Sequence, residues 1–310
     1  IVERHVVPFI RGFQSGNTMA ATAKHFPGDG LDFRDQHLAT SVNHLPMKQW
    51  WATYGKIWKS VIDAGVLAVM PGHISLPDYQ GFSGNPGQAP PATLSCKIQE
   101  ILLREELGFQ GVVVSDATPM IGMTAWVPGP ERILQNIQAG SDVYLFGDSA
   151  QDFKSLRKAV SDHRISEERI RCSVRRVLEL KARLGIHLNP FGSAPTGNQR
   201  KSFAETSREL AESAVAVLRT DGRPPVSLEP GSKVLTITIK YDIPSVNPAD
   251  LHVVDDELRQ RRLDVDHMLN PSNSKITELA SKYDAVFINM HVSPDMRLGT
   301  LRLPGGIPVP

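Results

Sequence analysis

Residues 19–37 read Met-Ala-Ala-Thr-Ala-Lys-His-Phe-Pro-Gly-Asp-Gly-Leu-Asp-Phe-Arg-Asp-Gln-His, an apolar run that passes directly into glycines, a proline, charged groups and two histidines. Glycine and proline set the path of such a segment while its polar side chains face a cleft, so it reads as a rigid loop presenting reactive groups. The same rhythm recurs outward along the chain. Val66–Met70 leads into Pro71-Gly72-His73, Val112–Val114 into Ser115-Asp116, and Val143–Phe146 into Gly147-Asp148. Continuous rather than alternating apolar runs predict strands covered on both faces, as in a parallel sheet. Helical patterns lie between them. Ser95 can cap one in which Ile98, Ile101 and Leu102 share a face; Ser166 opens another, with Ile170, Val174, Val177 and Leu178 at helical spacing and Gly185 as its terminator. Alternating strands and helices imply βαβ units.

This rhythm ends near Ile186, which sets a first domain over 1–186. The segment 187–204 contains HLNPFGSAPTGNQR, too rich in Pro, Gly, Ser and Asn to build a core, and reads as an exposed linker. A smaller α/β unit is expected over 205–310, with helices at Glu205–Leu218 and Ile276–Lys282 and strands at Val234–Ile239 and Ala285–Ile288. The 310 residues, 41% hydrophobic and 22% charged, suffice for a sizeable core. A net charge of +1 gives no footprint for nucleic acid and suits a neutral, polyhydroxylated partner. Cys96 and Cys172 read as small buried hydrophobes rather than a disulfide or metal site. No His/Cys/Asp cluster has ligand spacing and no Gly-rich phosphate loop follows a strand, so neither metal nor cofactor is expected. No apolar run is long enough for a membrane span and no leader is visible; because residue 1 is Ile rather than Met, the true start is expected upstream.

Lys24, His25, His73, Asp116 and Asp148 all fall at the C-terminal ends of predicted strands, where parallel α/β folds gather their active sites. Asp116 can attack an electrophilic carbon from such a position, or simply cap the next helix. Asp35 and His37, two residues apart in a loop, can form a general acid/base dyad in which the carboxylate orients the ring, or a solvated polar loop without chemistry. Asp29 and Asp32 read as loop-shaping carboxylates, and His44, His163, His187, His252 and His267 as surface histidines. Trp50, Trp51 and Trp58 form a packing stripe rather than a sugar platform.

KHFPGDG followed by DQH, then VMPGHISLPDYQ, PATLS, LLREELGFQGVVVSDATPM and RVLELKARLGI together resemble, in order and spacing, glycoside hydrolase family 3, specifically its β-N-acetylglucosaminidase branch, over roughly residues 15–186. The resemblance implies an α/β fold: the C-terminal half of a TIM-type (β/α)8 barrel followed by part of a smaller α/β sandwich domain. It implies Asp116 as nucleophile, His37 as acid/base with Asp35 orienting it, and Lys24 and His25 as sugar ligands, with His73 at a further strand end as another substrate-binding candidate. The implied activity is retaining, exo-acting release of β-linked N-acetylglucosamine. The alternatives are a β-glucosidase or β-xylosidase of the same family, or an inactive truncated chain. The family loop usually reads KHFPGHG and DSH, so Asp29 and Gln36 are departures, expected to carry no chemistry themselves. The first four barrel strands have no counterpart, so the chain reads as an internal fragment of a longer enzyme, inactive alone. The sequence carries no compartment signal, although a two-domain form points to a secreted or periplasmic protein before a cytoplasmic one.

Overall fold

In the computed structural model, which describes residues 1–190, 194–215, 226–240 and 252–291, the chain divides into two compact units, Ile1–Gly192 and Ser193–Pro310. The first unit is built on parallel strands β1 (Thr22–Phe26), β3 (Ala68–Pro71) and β5 (Val112–Val113), hydrogen-bonded in that order, with β2 (Ser41–Val42) and β4 (Ile74–Ser75) forming a small parallel pair beside them. Val143 extends the row through a parallel bridge to Val114. Four predicted strands thus stand side by side in chain order, as in half of a (β/α)8 barrel. The run from Met19 forms its strand a few residues late, carrying Lys24 and His25 on the strand itself.

Their apolar faces meet helices on the outside. Phe26, Trp50, Trp58, Val69, Leu103 and Val113 belong to one buried cluster. Lys97–Glu106 winds as a π-helix, whose wider turn buries Ile98, Gln99, Leu102 and Leu103 but turns Ile101 outward, 39% exposed. The helical face read from a 3.6-residue period therefore includes one residue too many. Ser166 caps Glu167–Arg183 by accepting from the Arg169 N–H (3.2 Å), and Gly185 follows at φ 66°. Cys96 is exposed and Cys172 half-buried, both as free thiols, which corrects their assignment to the core. Cys96 is the residue before Lys97–Glu106, already helical in backbone, with its side chain on the exposed face.

In the second unit β6 (Lys233–Lys240) is the centre of a parallel sheet ordered β7-β6-β8, with β7 at Asp264–Leu269 and β8 at Ala285–His291. Val234, Leu235 and Ile237 of β6 are fully buried. Its first helix, Gly197–Ala214, begins inside the segment expected as linker, because Thr196 and Gln199 form a reciprocal capping box. The end of the predicted helix, residues 216–218, lies outside the described residues. No helix among the described residues is long and apolar enough to cross a membrane.

Candidate active site

The turn after β1 is fastened from behind by two tryptophans. Trp50 and Trp58, on the successive helical segments Met47–Trp50 and Lys56–Asp63, both donate their indole N–H to the Pro27 carbonyl oxygen (3.0 and 3.1 Å), and both rings meet Phe26 edge-on. The stripe read as packing is therefore also the support of the loop; Trp51, 38% exposed, packs edge-on against Trp50, with ring centroids 5.1 Å apart. Between them Tyr54 donates its hydroxyl to the Asp29 carbonyl oxygen (2.8 Å). Gly28 is required here: it adopts φ 136°, and a Cβ would lie 2.1 Å from the Tyr54 ring.

Asp32 shapes the next stretch. Its carboxylate accepts from the Arg34 side chain and backbone and from the Val42 N–H (2.8 Å), closing the loop over residues 32–42. The Arg34 guanidinium, partly opposed by burial and joined by the two backbone N–H groups, lowers the Asp32 pKa to about 2. Held by this loop, His37 presents Nδ1 to Asp35 Oδ1 at 2.7 Å, and its backbone N–H donates to the same oxygen at 2.8 Å. Burial pushes the Asp35 carboxyl up, but the backbone, ring and charge of His37 together outweigh it and hold the pKa below the ordinary value. The His37 ring is 41% exposed, open enough for a substrate to reach.

The loop after β5 meets this one directly. The Ile121 N–H donates to the His37 carbonyl (3.2 Å) and the Gly122 N–H to that of Gln36 (3.1 Å). A Cβ on Gly122 would lie 2.7 Å from both Gln36 O and the His73 side chain, so glycine permits the approach. Asp116, nearly buried, accepts one backbone bond at Oδ1, from Ala117 (2.7 Å), and its Oδ2 faces His25 Nε2 at 3.6 Å.

The two departures from the family pattern turn out to be partners. Gln36 Nε2 donates to Asp29 Oδ2 (2.9 Å), Gln36 Oε1 accepts from the His73 N–H (2.6 Å), and Asp29 Oδ2 faces His25 Nδ1 at 3.3 Å. A continuous chain of contacts thus runs from the His37 loop through Gln36 and Asp29 to His25 and Asp116. The sequence reading set the Asp29 charge close to the sugar but did not pair it with Gln36, because the bond spans a turn; their joint deviation from KHFPGHG and DSH was the available signal.

His73 is placed differently from the expectation. Its side chain is fully buried, with Nδ1 against Thr93 Oγ1 (2.9 Å) and Nε2 against the Ala117 carbonyl oxygen (3.0 Å). Burial drives its pKa down, only partly opposed by that carbonyl and the nearby Asp116 charge. With both ring nitrogens engaged inside the protein, it supports the loop of Asp116. Lys24 is exposed on β1 and, with His25, Gly28, Asp29 and Tyr54, lines a cleft of about 670 Å³, ample for a sugar ring; Asp116 and His37 do not line it. Asp148 caps the helix Ser149–Ser161, accepting from Ala150 and Gln151 (3.1 and 3.0 Å).

With these loops on strand ends of a parallel half-barrel, comparison with known proteins is decisive: residues 1–180 match the model of the "Glycosyl hydrolase family 3 N terminal domain". The chain belongs to glycosyl hydrolase family 3. It is 38% identical over 234 residues, 73% of its own length and 41% of the relative's, to a protein of Cellulomonas fimi named "Beta-N-acetylglucosaminidase/beta-glucosidase". It is 40% identical over 146 residues to a "Beta-hexosaminidase" of Vibrio cholerae, covering 46% of this chain and 40% of that one. The solved structure of a family 3 β-N-acetylglucosaminidase from Paenibacillus sp. str. FPU-7 superposes with a TM-score of 0.76 at 28% identity, over 92% of this chain and 56% of that chain. A "Beta-glucoside phosphorylase BglX bound to 2FGlc" gives a TM-score of 0.76 at 26% identity, over 93% and 54%. The chain therefore spans about 40% of the length of the curated relatives it matches. The first unit is accordingly part of a TIM-type barrel, and the family's chemistry is that of glycoside hydrolases acting on carbohydrate.

Proposed function

We propose that this chain carries the catalytic loops of a retaining, exo-acting β-N-acetylglucosaminidase. In the first step an Asp116 oxygen bonds to the anomeric carbon as the glycosidic C–O bond breaks, and the departing oxygen takes a proton from His37. In the second, His37 takes a proton from water, whose oxygen bonds to the anomeric carbon while the ester to Asp116 breaks. Since Asp35 engages Nδ1, Nε2 is the nitrogen that moves the proton in both steps. Lys24 and His25 would hold sugar hydroxyls. His73, which the sequence placed among them, acts instead through the Ala117 carbonyl. The observation that carries this reading is the direct bonding of the His37 loop to the segment after Asp116, through Ile121 and Gly122. The relatives' names support an N-acetylated sugar.

The phosphorylase among the structural neighbours favours a second acceptor, inorganic phosphate in place of water. A neutral imidazole suits it, because a carboxylate base would repel a phosphate dianion. Both readings are tested by giving the full-length gene product an aryl N-acetylglucosaminide, beside the aryl glucoside and xyloside, with and without phosphate. Free N-acetylglucosamine supports hydrolysis, and its 1-phosphate supports phosphorolysis. Equal rates on the three aryl glycosides remove the acetamido preference, and turnover surviving Asp116→Ala refutes the assignment of the nucleophile.

A further inference from the structure

The second unit brings together three groups from a helix and a strand. His252 and Asp255 lie one turn apart on the helix His252–Gln260, and His267 belongs to β7. One ligand atom from each lies within 4.8 Å of the others. His267 Nδ1 is 2.6 Å and His252 Nδ1 3.3 Å from Asp255 Oδ2, with the two rings 5.0 Å apart between centroids. These two histidines, read from the sequence as unconnected surface groups, share one carboxylate.

That carboxylate is fully buried, and its second oxygen, Oδ1, has no hydrogen-bond partner. The Thr236 hydroxyl donates to the Asp266 carbonyl oxygen (3.2 Å). A sealed carboxylate oxygen without a donor is costly, and a cation bound there removes the cost. Two imidazoles and one carboxylate are a donor set suited to zinc, and three protein ligands leave a fourth position for water. Ligands on a tetrahedral zinc ion stand about 3.3–3.5 Å apart, so the 2.6 Å contact must open by under about 1 Å.

We propose that His252, Asp255 and His267 bind one zinc-type divalent ion that clips the helix His252–Gln260 to β7. The inference is independent of the catalytic reading. It is tested by stripping the full chain with a chelator, adding Zn²⁺, desalting, and measuring retained zinc and its affinity against a chromophoric chelator. One zinc per chain is expected. Its affinity should fall by about 100-fold or more in His252→Ala and His267→Gln and stay unchanged in His25→Ala. Cobalt in its place should show the absorption of a tetrahedral site. His252 is 63% exposed, so its replacement leaves the fold intact while removing a ligand. No retained zinc, equal affinity in the two variants, or loss of zinc in His25→Ala would each overturn the proposal; the last would put the ion in the other cleft.

Discussion

Asp142 and Asp116 flank the same pair of bridged strand residues from opposite ends of the sheet, and their surroundings could hardly differ more. Asp142, immediately before Val143, is wholly buried and saturated: Arg104 Nη2 (2.7 Å) and the Val113 N–H (3.0 Å) bond one oxygen, Ser173 (2.6 Å) and Arg176 (3.0 Å) the other, with Arg169 3.6 Å away. Asp116, two residues after Val114, has one backbone donor and a histidine at 3.6 Å, which leaves its oxygens with acceptor capacity to spare. A carboxylate tied on every side can only hold the fold, whereas one tied on a single side can react. On the proposed assignment of Asp116, the half-barrel keeps stability at one end of its strands and chemistry at the other.

The contrast breaks most visibly if the two are exchanged in effect. Asp116→Ala in the full-length protein should lower kcat by about 10⁴-fold, the scale of losing a member of a catalytic unit, with its melting temperature little changed. Asp142→Ala should cost about 3–5 kcal/mol in urea unfolding, because the arginine guanidiniums gathered around it lose their buried counter-charge. If Asp116→Ala unfolds the protein, or Asp142→Ala leaves it intact, the division of labour fails. A double-mutant cycle sharpens the reactive end: Asp29→Ala and Gln36→Ala should each lower kcat/KM by about tenfold, and the double variant should fall no further than the worse single one, since each depends on the other's hydrogen bond. Additive losses would show two independent contacts. The smallest effect is that of acid on the Asp32 clamp. Its folded pKa of about 2 lies below the unfolded 3.8, so its stabilisation is complete above about pH 4 and is lost as pH falls through about 2. The Val42 amide signal, followed by NMR, should titrate near pH 2; a midpoint near 4 would contradict the clamp.

How far all this could be read in advance depended on the range of each interaction. The strand-to-loop transitions at Lys24, His73, Asp116 and Asp148 are local patterns, which the structure places in the same order along one sheet, and the Asp35–His37 pair is a local pattern in the loop after its first strand. His73 was misjudged because its burial rests on Thr93 and Ala117, far away in sequence. The Gln36–Asp29 bond escaped because it closes across an irregular turn, and the Asp255 group because His267 comes to the His252–Asp255 pair from a separate strand. The helix from Gly197 was hidden by its composition: glycine and asparagine dominate its start, and only the Thr196–Gln199 cap reveals it.

The most direct test of Asp116 as nucleophile is to trap the covalent intermediate. A fluorinated N-acetylglucosaminyl fluoride, which forms the ester faster than it releases it, is incubated with the full-length protein, and the digest is mapped by mass spectrometry. The account predicts one sugar on the peptide containing Asp116. A sugar on Asp35 or another carboxylate, or none while the fluoride is turned over, would contradict it.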